Sequence, residues 1–148
     1  MRSIEGVRRS GIGIGPEKRI GQAAEVMERS GVGALAVIDE GRLVGLVTDR
    51  DLVRRGMARG LPGDARVDAV MSSPVITIDA DADLHDVLAV FRTHALRRVA
   101  VVRDEQFVGM ISVDDLLVDL AADLADLARP VTAEILFAHR DSPTPVKA

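Results

Sequence analysis

The chain has 148 residues, a formal net charge of −4 and no cysteine. This length predicts one compact domain or two very small ones, and the lack of cysteine excludes disulfides, thiolate catalysis and cysteine-based zinc sites. A negative charge, with phenylalanine at three positions as the only aromatic residue type, argues against nucleic-acid binding. No apolar run reaches the roughly 18 residues of a membrane span and no signal-peptide pattern opens the chain, so we expect a cytoplasmic protein.

Taken in chain order, the hydrophobic periodicity predicts the same succession of elements twice. The first succession is predicted to be a strand near 11–14, a helix over 20–30, strands over 35–38 and 43–47 joined by a turn at 39–42, and a helix from 49. The second is predicted to be a strand over 74–78, a helix over 84–95, strands over 99–102 and 107–111 joined by a turn at 103–106, and a helix after Ser112. The connecting segment 59–73 is rich in glycine and proline and contains a predicted short helix at 67–71.

The two successions align without a gap when the chain is shifted against itself by 64 positions. The clearest match is the stretch GLVTDRDL at 45–52, which recurs as GMISVDDL at 109–116. Each copy reads glycine, two apolar residues, a hydroxyl, two variable residues, aspartate and leucine. A unit of about 50 residues is too small to bury its apolar strand faces well. We therefore expect the two units to pack sheet against sheet about a pseudo-two-fold axis.

The hydroxyl and aspartate of each stretch, Thr48 with Asp51 and Ser112 with Asp115, admit two interpretations. A Ser or Thr three residues before an acidic residue at a helix start is a capping box. An ionised carboxylate also accepts hydrogen bonds from two neighbouring hydroxyl groups, and a hydroxyl at a helix start lies beside free backbone N–H groups that suit an anion. Because a cap would be duplicated as readily as a ligand site, the duplication leaves both interpretations open.

The tandem β-α-β-β-α order, the VxxVMSxP lead-in at 67–74 and the duplicated stretch resemble a pair of CBS domains, known as a Bateman module, over roughly 11–120. The resemblance implies an α/β fold of the α+β type, with two β-α-β-β-α CBS repeats packed with pseudo-two-fold symmetry. The expected organisation is a first CBS repeat with an N-terminal segment over 1–60, a linker with a short helix over 61–74, a second CBS repeat with an extended C-terminal helix over 75–128, and a partly disordered tail over 129–148.

Proteins of this family are usually regulatory sensors. The resemblance therefore implies a stand-alone protein that binds an adenosine-containing ligand, AMP, ADP, ATP or S-adenosylmethionine, in clefts between the repeats. It implies action through an unknown effector protein, a homodimer, and neither enzymatic activity nor an obligatory cofactor. The alternative is a structural or interaction module with empty clefts, whose motifs act only as helix caps.

The resemblance also implies which residues contact the ligand. In both repeated stretches the aspartate would take the ribose diol, and the hydroxyl would assist at the ribose or a phosphate. The basic side chains expected near phosphates are Arg50, Arg97 and Arg98. The expected apolar contacts lie on the opening strand of each repeat, at Ile12, Ile14, Ile76 and Ile78. The sequence departs from the family at Ala36 and Ala100, where proline is common, and this leaves the backbone at the adenine edge less fixed.

Three other motifs favour structural interpretations. The GIGIG stretch at 11–15 lacks the spacing of a dinucleotide loop. The DADAD stretch at 79–83 lacks the glycine and glutamate of a calcium loop, and it is predicted to begin a helix. The histidines, His85, His94 and His139, do not have the spacing of metal ligands. The sequence also has no group of residues typical of a catalytic site. We therefore expect neither a metal site nor a catalytic site.

The predicted last helix carries leucines near heptad spacing, at Leu117, Leu120, Leu124 and Leu127. This stripe indicates either packing on its own domain or a dimer contact. After Pro130 the chain has one apolar patch at 131–137, and the stretch 141–148 has the composition of a disordered tail.

Overall fold

The computed structural model describes residues 3–6 and 8–141, the last eleven of them as backbone only. The chain divides into two compact units, one ending at Val113 and the other beginning at Asp114. The first unit contains the β-sheet, and the described residues of the second unit belong to the long C-terminal helix. Among the described residues, none of the helices has the length and apolar character that crossing a membrane requires.

Strands and helices follow one another in the predicted tandem order. The first repeat contains β1 (Gly13–Ile14), α1 (Ile20–Ser30), β2 (Ala34–Asp39), β3 (Arg42–Thr48) and a helix α2 over 49–59. Helix α2 is a succession of α-helical, π-helical and 3-10 turns, Asp49–Asp51, Leu52–Gly56 and Met57–Arg59. The second repeat contains β4 (Thr77–Asp79), α3 (Leu84–His94), β5 (Arg98–Arg103), β6 (Gln106–Ser112) and α4 (Val113–Asp141). Two further 3-10 turns cover Ile4–Gly6 and Val67–Ala69, and the second lies within the helix predicted at 67–71.

The six strands form one sheet in the order β1-β2-β3-β6-β5-β4. The outer strands β1 and β4 run parallel to β2 and β5, while each hairpin is antiparallel. The two halves meet where Arg42 of β3 pairs with Gln106 of β6. These two residues are equivalent under the 64-residue shift, so the pseudo-two-fold axis passes through this pair. The predicted α/β fold with two pseudo-symmetric repeats is confirmed, and this pair joins the two halves into one sheet at their hairpin ends.

The strand register repeats faithfully between the halves. Gly13 pairs with Ala36 as Thr77 pairs with Ala100, each one 64 positions after its counterpart. Both hairpins shift register at the same place, after Val37 and after Val101. Both also turn through two residues of positive φ, at 40–41 and at 104–105. The shift read from the sequence is thus confirmed in the backbone.

Helices α1 and α3 bury one face each and end in the same way. Helix α1 buries Ile20, Ala23 and Met27, spaced as one helical stripe. Both helices end on a residue in the left-handed region, Gly31 with φ 64° in the first repeat and Ala95 with φ 51° in the second. Glycine has no Cβ to oppose this conformation, whereas alanine loses roughly 1 kcal/mol there. The second repeat therefore carries a local strain that the first avoids.

The segment that leads into each repeat crosses to a strand of the other repeat. The backbone of Ser72, ahead of β4, exchanges hydrogen bonds of 2.8 and 3.0 Å with Leu46 of β3. The backbone of Arg9, ahead of β1, exchanges two bonds of 2.9 Å with Met110 of β6. Since Leu46 and Met110 are equivalent positions, the crossing is itself duplicated.

The glycine that opens each repeated stretch makes room for this crossing. A Cβ on Gly45 would lie 2.5 Å from the sulfur of Met71 and 3.0 Å from the carbonyl oxygen of Ser72. A Cβ on Gly109 would lie 2.5 Å from the carbonyl oxygen of Arg9. The glycine is therefore explained by the close approach of backbone.

Helix α4 extends further than the sequence predicts. The periodic pattern ends at 128, but the helix continues past Pro130 to Asp141. Proline removes one backbone donor from a helix interior and is normally read as a terminator, which explains the shorter prediction. Of the tail expected to be disordered, residues 142–148 lie outside the described residues.

Candidate functional site

The first repeated stretch forms a reciprocal helix cap at the junction of β3 and α2. The backbone N–H of Thr48 donates to Asp51 Oδ2 at 3.0 Å, and the N–H of Asp51 donates to Thr48 Oγ1 at 3.1 Å. Thr48 has extended dihedral angles, as an N-cap residue requires. The other oxygen of Asp51 lies 3.9 Å from Arg55 Nε, one turn along the helix. In the first repeat the capping geometry is therefore present.

The cap does not exhaust the hydrogen-bonding capacity of these two side chains. A threonine hydroxyl has one donor and two lone pairs, and a carboxylate has about four acceptor sites. The cap uses one lone pair of Thr48 and one acceptor site of Asp51. The Asp51 side chain is 16% exposed, so its remaining acceptors are within reach of solvent or a ligand. Capping and ligand binding are therefore compatible at this junction.

The second repeat contributes a cation beside this junction. Arg98 begins β5, and its Nη2 lies 3.5 Å from the place where a Cβ on Gly33 would stand. Asp49 Oδ2 lies 3.1 Å from the same place, and the Asp49 N–H donates to the Gly33 carbonyl at 3.0 Å. Gly33 thus leaves open a space bordered by a guanidinium of one repeat and a carboxylate of the other. The sequence predicted Arg98 as a site residue but gave no sign that it reaches the first repeat.

The other predicted polar residues lie on α2 of the first repeat or around β5, β6 and α4 of the second. Arg50 is exposed on α2, and its N–H donates to Asp49 Oδ1 at 2.8 Å. The Arg97 carbonyl accepts from the Val113 N–H at 2.8 Å, as the Gly33 carbonyl accepts from Asp49 in the first repeat. Ser112 ends β6 opposite Arg98, half-buried. Asp115 lies in the first turn of α4.

Two of the four predicted isoleucines lie in the core. Ile14 and Ile78 are core residues, only 8% and 7% exposed. Ile12 and Ile76 are half-buried, and the Ile12 carbonyl accepts from the N–H of Ala36 at 2.9 Å. Ala36 supplies this N–H donor, which a proline at position 36 would lack. The backbone at Ala36, which we expected to be less fixed, is therefore held by a hydrogen bond. A contact between these isoleucines and a ligand stays a prediction.

An apolar groove between α1 and α2 was missed by the sequence reasoning. It has a volume of about 360 Å³ and is lined chiefly by Met27, Val32, Leu52, Val53 and Met57. The residues at 53 and 57 are 54% and 76% exposed, which is unusual for large apolar side chains. Their spacing of four residues on a helix was the available signal.

The histidines and acidic residues do not form a metal site in the part of the chain that the structure describes. No group of three or more His, Asp or Glu side chains is placed there to hold an ion. His94 Nδ1 lies 3.2 Å from the Val90 carbonyl of its own helix. For His139 only the backbone is described.

Comparison with known proteins agrees with this geometry. The CBS domain family model matches residues 7–58 and 67–122. The chain is 33% identical over 106 residues to the CBS domain-containing protein YhcV of Bacillus subtilis, covering 72% of this chain and 76% of that one. It is also 33% identical over 105 residues to Hypoxic response protein 1 of Mycobacterium tuberculosis, covering 70% and 73% of the two chains.

Solved structures show the same fold. A CBS domain protein from Pyrobaculum aerophilum, complexed with AMP, superposes with a TM-score of 0.70 at 26% identity, covering 82% of this chain and 99% of that one. The two segments matched by the family model together span most of the present sequence. With its tandem topology and duplicated register, this chain belongs to the CBS-domain family.

Proposed function

We propose that this chain is a regulatory sensor that binds an adenosine-containing ligand at the β3–α2 junction of the first repeat. AMP, ADP, ATP and S-adenosylmethionine are the candidate ligands. The observation that carries the proposal is that Arg98 of the second repeat and Asp49 of the first border one open space at Gly33, and that Asp49 directly follows Thr48 in the Thr48–Asp51 cap. The AMP complex of the Pyrobaculum aerophilum relative supports the ligand class.

The chemistry of the three side chains suits the parts of a nucleotide. The Asp51 carboxylate has acceptors for a ribose diol, and the Arg98 guanidinium presents donors in a fork that matches a phosphate. A ligand held by both repeats stabilises the arrangement in which they meet, because it binds that arrangement better than any other. An effector protein that distinguishes the two arrangements would then respond to the ligand. We propose binding of this kind, in the cytoplasm and without catalysis.

A ligand panel provides the first test. AMP, ADP, ATP, S-adenosylmethionine and NAD are added separately at millimolar concentration, and thermal unfolding is followed. A ligand present at about 100 times its Kd adds roughly 2.7 kcal/mol to the free energy of unfolding. For a chain of this size that raises Tm by several degrees. If none of the five raises Tm, the sensor proposal is wrong.

Two substitutions at Asp51 separate ligand binding from capping. Asp51→Asn keeps an acceptor for the Thr48 N–H but removes the charge, so we expect near-normal stability and an affinity about 10- to 100-fold weaker. Asp51→Ala loses the cap as well, so its stability should fall by about 0.5–2 kcal/mol. Affinity is measured by calorimetry and stability by urea unfolding on the same samples. Asp115→Ala reports on the second repeat, and it should leave affinity unchanged if the first cleft dominates.

Removing the Arg98 guanidinium tests whether this residue binds the phosphate or the nucleoside part of the ligand. Arg98→Ala should weaken AMP, ADP and ATP and leave adenosine unaffected, because only the phosphorylated ligands need the positive charge. Its effect should shrink in high salt. Arg92→Ala, which removes an exposed arginine from the end of α3, is the matched control. Equal losses for AMP and adenosine would contradict the assignment of Arg98 to the phosphate.

The second candidate function is a structural module whose clefts stay empty. The two cap hydrogen bonds of Thr48 and Asp51 favour it, because they give each side chain a structural role that needs no ligand. In that case none of the five ligands binds at the junction, Asp51→Ala still lowers stability, and a ligand bound elsewhere keeps its affinity in Asp51→Asn. The ligand panel and the Asp51→Asn variant thus distinguish the two functions.

The oligomeric state is also a proposal. Leu117, Leu124 and Leu127 of α4 are exposed and near heptad spacing, which is typical of a helix that packs on another chain. We expect a homodimer, which light scattering would report as about twice the monomer mass. A monomer at high micromolar concentration would contradict it.

A further inference from the structure

The open space at Gly33 lies between two opposite charges. Asp49 Oδ2 is 3.1 Å and Arg98 Nη2 is 3.5 Å from the place where a Cβ on Gly33 would stand. The other oxygen of Asp49, Oδ1, accepts a hydrogen bond from the N–H of Arg50 at 2.8 Å, so Oδ2 is the oxygen that borders the space. A ligand group that enters this space to meet the guanidinium therefore also meets a carboxylate.

The fold does not require a carboxylate at position 49. The Asp49 N–H donates to the Gly33 carbonyl at 3.0 Å, and in the second repeat the Val113 N–H donates to the Arg97 carbonyl at 2.8 Å. Under the 64-residue shift Val113 is the equivalent of Asp49, and Arg97 is the equivalent of Gly33. Valine thus supports the same backbone arrangement in the second repeat. The charge of Asp49 is therefore open to a role in ligand binding.

From these observations we infer that Asp49 is a specificity-determining residue, which selects the ligand by the charge of the group attached to its adenosine. The inference rests on the proposed function and narrows its ligand. A guanidinium and a carboxylate bordering one space suit a group that carries both charges. The α-amino acid end of S-adenosylmethionine is such a group, with its carboxylate for Arg98 and its ammonium group for Asp49.

Phosphate is matched less well to the same space. Its oxygens accept hydrogen bonds from Arg98, but they also come near the Asp49 carboxylate, and like charges brought together repel. Each further phosphate adds negative charge beside this carboxylate. We therefore expect the affinity of the wild-type chain to decrease in the order S-adenosylmethionine, AMP, ADP, ATP, with about a tenfold or larger difference between the first and the last.

Asp49→Asn tests the assignment. The amide keeps an oxygen that can accept from the Arg50 N–H, and it removes the negative charge. Affinities for S-adenosylmethionine, AMP, ADP, ATP and adenosine are measured by calorimetry in EDTA, so that no metal ion alters the charge of the nucleotides. The variant should bind ATP about tenfold more tightly and S-adenosylmethionine about tenfold more weakly than the wild type, while adenosine is unaffected. A general change in stability would not move two ligands in opposite directions.

A charge control comes from the far end of the strand that follows Gly33. Strand β2 has six residues, Ala34–Asp39, so Asp39 lies roughly 20 Å from Gly33 along the strand. Asp39→Asn makes the same change of net charge as Asp49→Asn. Because the distance is well beyond the Debye length of about 8 Å at physiological salt, all five affinities should stay unchanged.

Gly33→Ala tests the space itself, because it leaves every charge in place. The φ of Gly33 is not positive, so the backbone also suits alanine. The new methyl group fills the place between Asp49 and Arg98, and both S-adenosylmethionine and ATP should bind more weakly, while adenosine is spared. Gly63→Ala is the control, since among the described residues nothing lies within 4 Å of its Cβ, and it should alter none of the affinities.

The results distinguish this inference from the proposed function. If ATP binds the wild-type chain as tightly as S-adenosylmethionine, or if Asp49→Asn changes both affinities in the same direction, the inference is wrong and the proposed function stands. If no adenosine-containing ligand binds either the wild type or Asp49→Asn, both are wrong. High salt should reduce the effect of Asp49→Asn on ATP binding, because screening weakens the repulsion; an effect independent of salt would contradict the charge mechanism.

Discussion

Gly109→Ala tests whether the glycine of the repeated stretch is required by the chain crossing. The new Cβ would lie 2.5 Å from the Arg9 carbonyl oxygen and 2.9 Å from Cγ of Arg8. Because the nearest atom belongs to the backbone, the N-terminal segment must move away from β6. That movement breaks the two hydrogen bonds of 2.9 Å between Arg9 and Met110 and strains the 2.8 Å bond from Arg8 to the Val108 carbonyl.

The expected loss follows from those bonds. At about 0.5–1.5 kcal/mol for each net hydrogen bond, losing two of them lowers the free energy of unfolding by about 1–3 kcal/mol. For a chain of this size the corresponding fall in Tm is about 3–10 °C. Urea unfolding followed by circular dichroism measures the free energy, and calorimetry measures Tm. If Gly109→Ala leaves both quantities unchanged, the steric explanation is wrong.

Two other glycines act as controls. Among the described residues nothing lies within 4 Å of a Cβ on Gly63, so Gly63→Ala should change stability by less than about 0.5 kcal/mol. Gly45→Ala should have an intermediate effect, because its nearest neighbour is the flexible side chain of Met71, although the Ser72 carbonyl lies only 3.0 Å away. We therefore expect the loss of stability to increase in the order Gly63→Ala, Gly45→Ala, Gly109→Ala.

A truncated chain isolates the cause of the effect. Removing residues 1–10 destabilises the protein, since Ile4 is fully buried, but it also removes the carbonyl that the new methyl group meets. In the truncated chain Gly109→Ala should therefore cost much less than in the full chain, a strongly non-additive result. The same cost in both chains would show that the methyl group acts through something other than Arg9.

Substitutions at four positions test local features of the two repeats. Ala95→Gly should raise stability by roughly 0.5–1 kcal/mol by relieving the left-handed cap of α3, and Gly31→Ala should lower it by a similar amount; opposite signs in urea unfolding are the check. Glu105→Gly should likewise stabilise the second hairpin, where Glu105 has φ 65° and its counterpart Gly41 has φ 81°, and an unchanged Tm would contradict the comparison. Thr48→Ala should cost about 0.5–2 kcal/mol through loss of the cap on α2, while Thr48→Ser should retain most of it; equal losses in both variants would show that the hydroxyl is not what stabilises the helix start.

Local and repeated features of the fold were predictable from the sequence. The helix predicted over 20–30 has those bounds in the structure, and the two predicted hairpin turns are present. The 64-residue shift predicted which strand residues are equivalent because register follows from alternation and turn length. These signals need only neighbouring residues or a comparison of the chain with itself.

Contacts between distant segments were not predictable in the same way. The pairing of Arg9 with Met110 joins a polar segment to a strand, and no periodicity marks the polar partner. The side-chain reach of Arg98 to Gly33 depends on how the repeats meet, which a single sequence does not encode locally. Pro130 gave a stop signal that the helix overrides. At the site, sequence supplied the residue types at Thr48 and Asp51 but left capping and binding equally open.

The N-terminal crossing also has a consequence for how the chain is made on the ribosome. The partner of Ser72 precedes it in the chain, so the first crossing can form as soon as the linker emerges. Arg8 and Val108, in contrast, are 100 positions apart. At about 5–20 residues per second, translation leaves the N-terminal segment without its strand for roughly 5–20 s. During that interval the nascent first repeat carries a detached leading segment, and a protease or chaperone acting on the nascent chain would find it there.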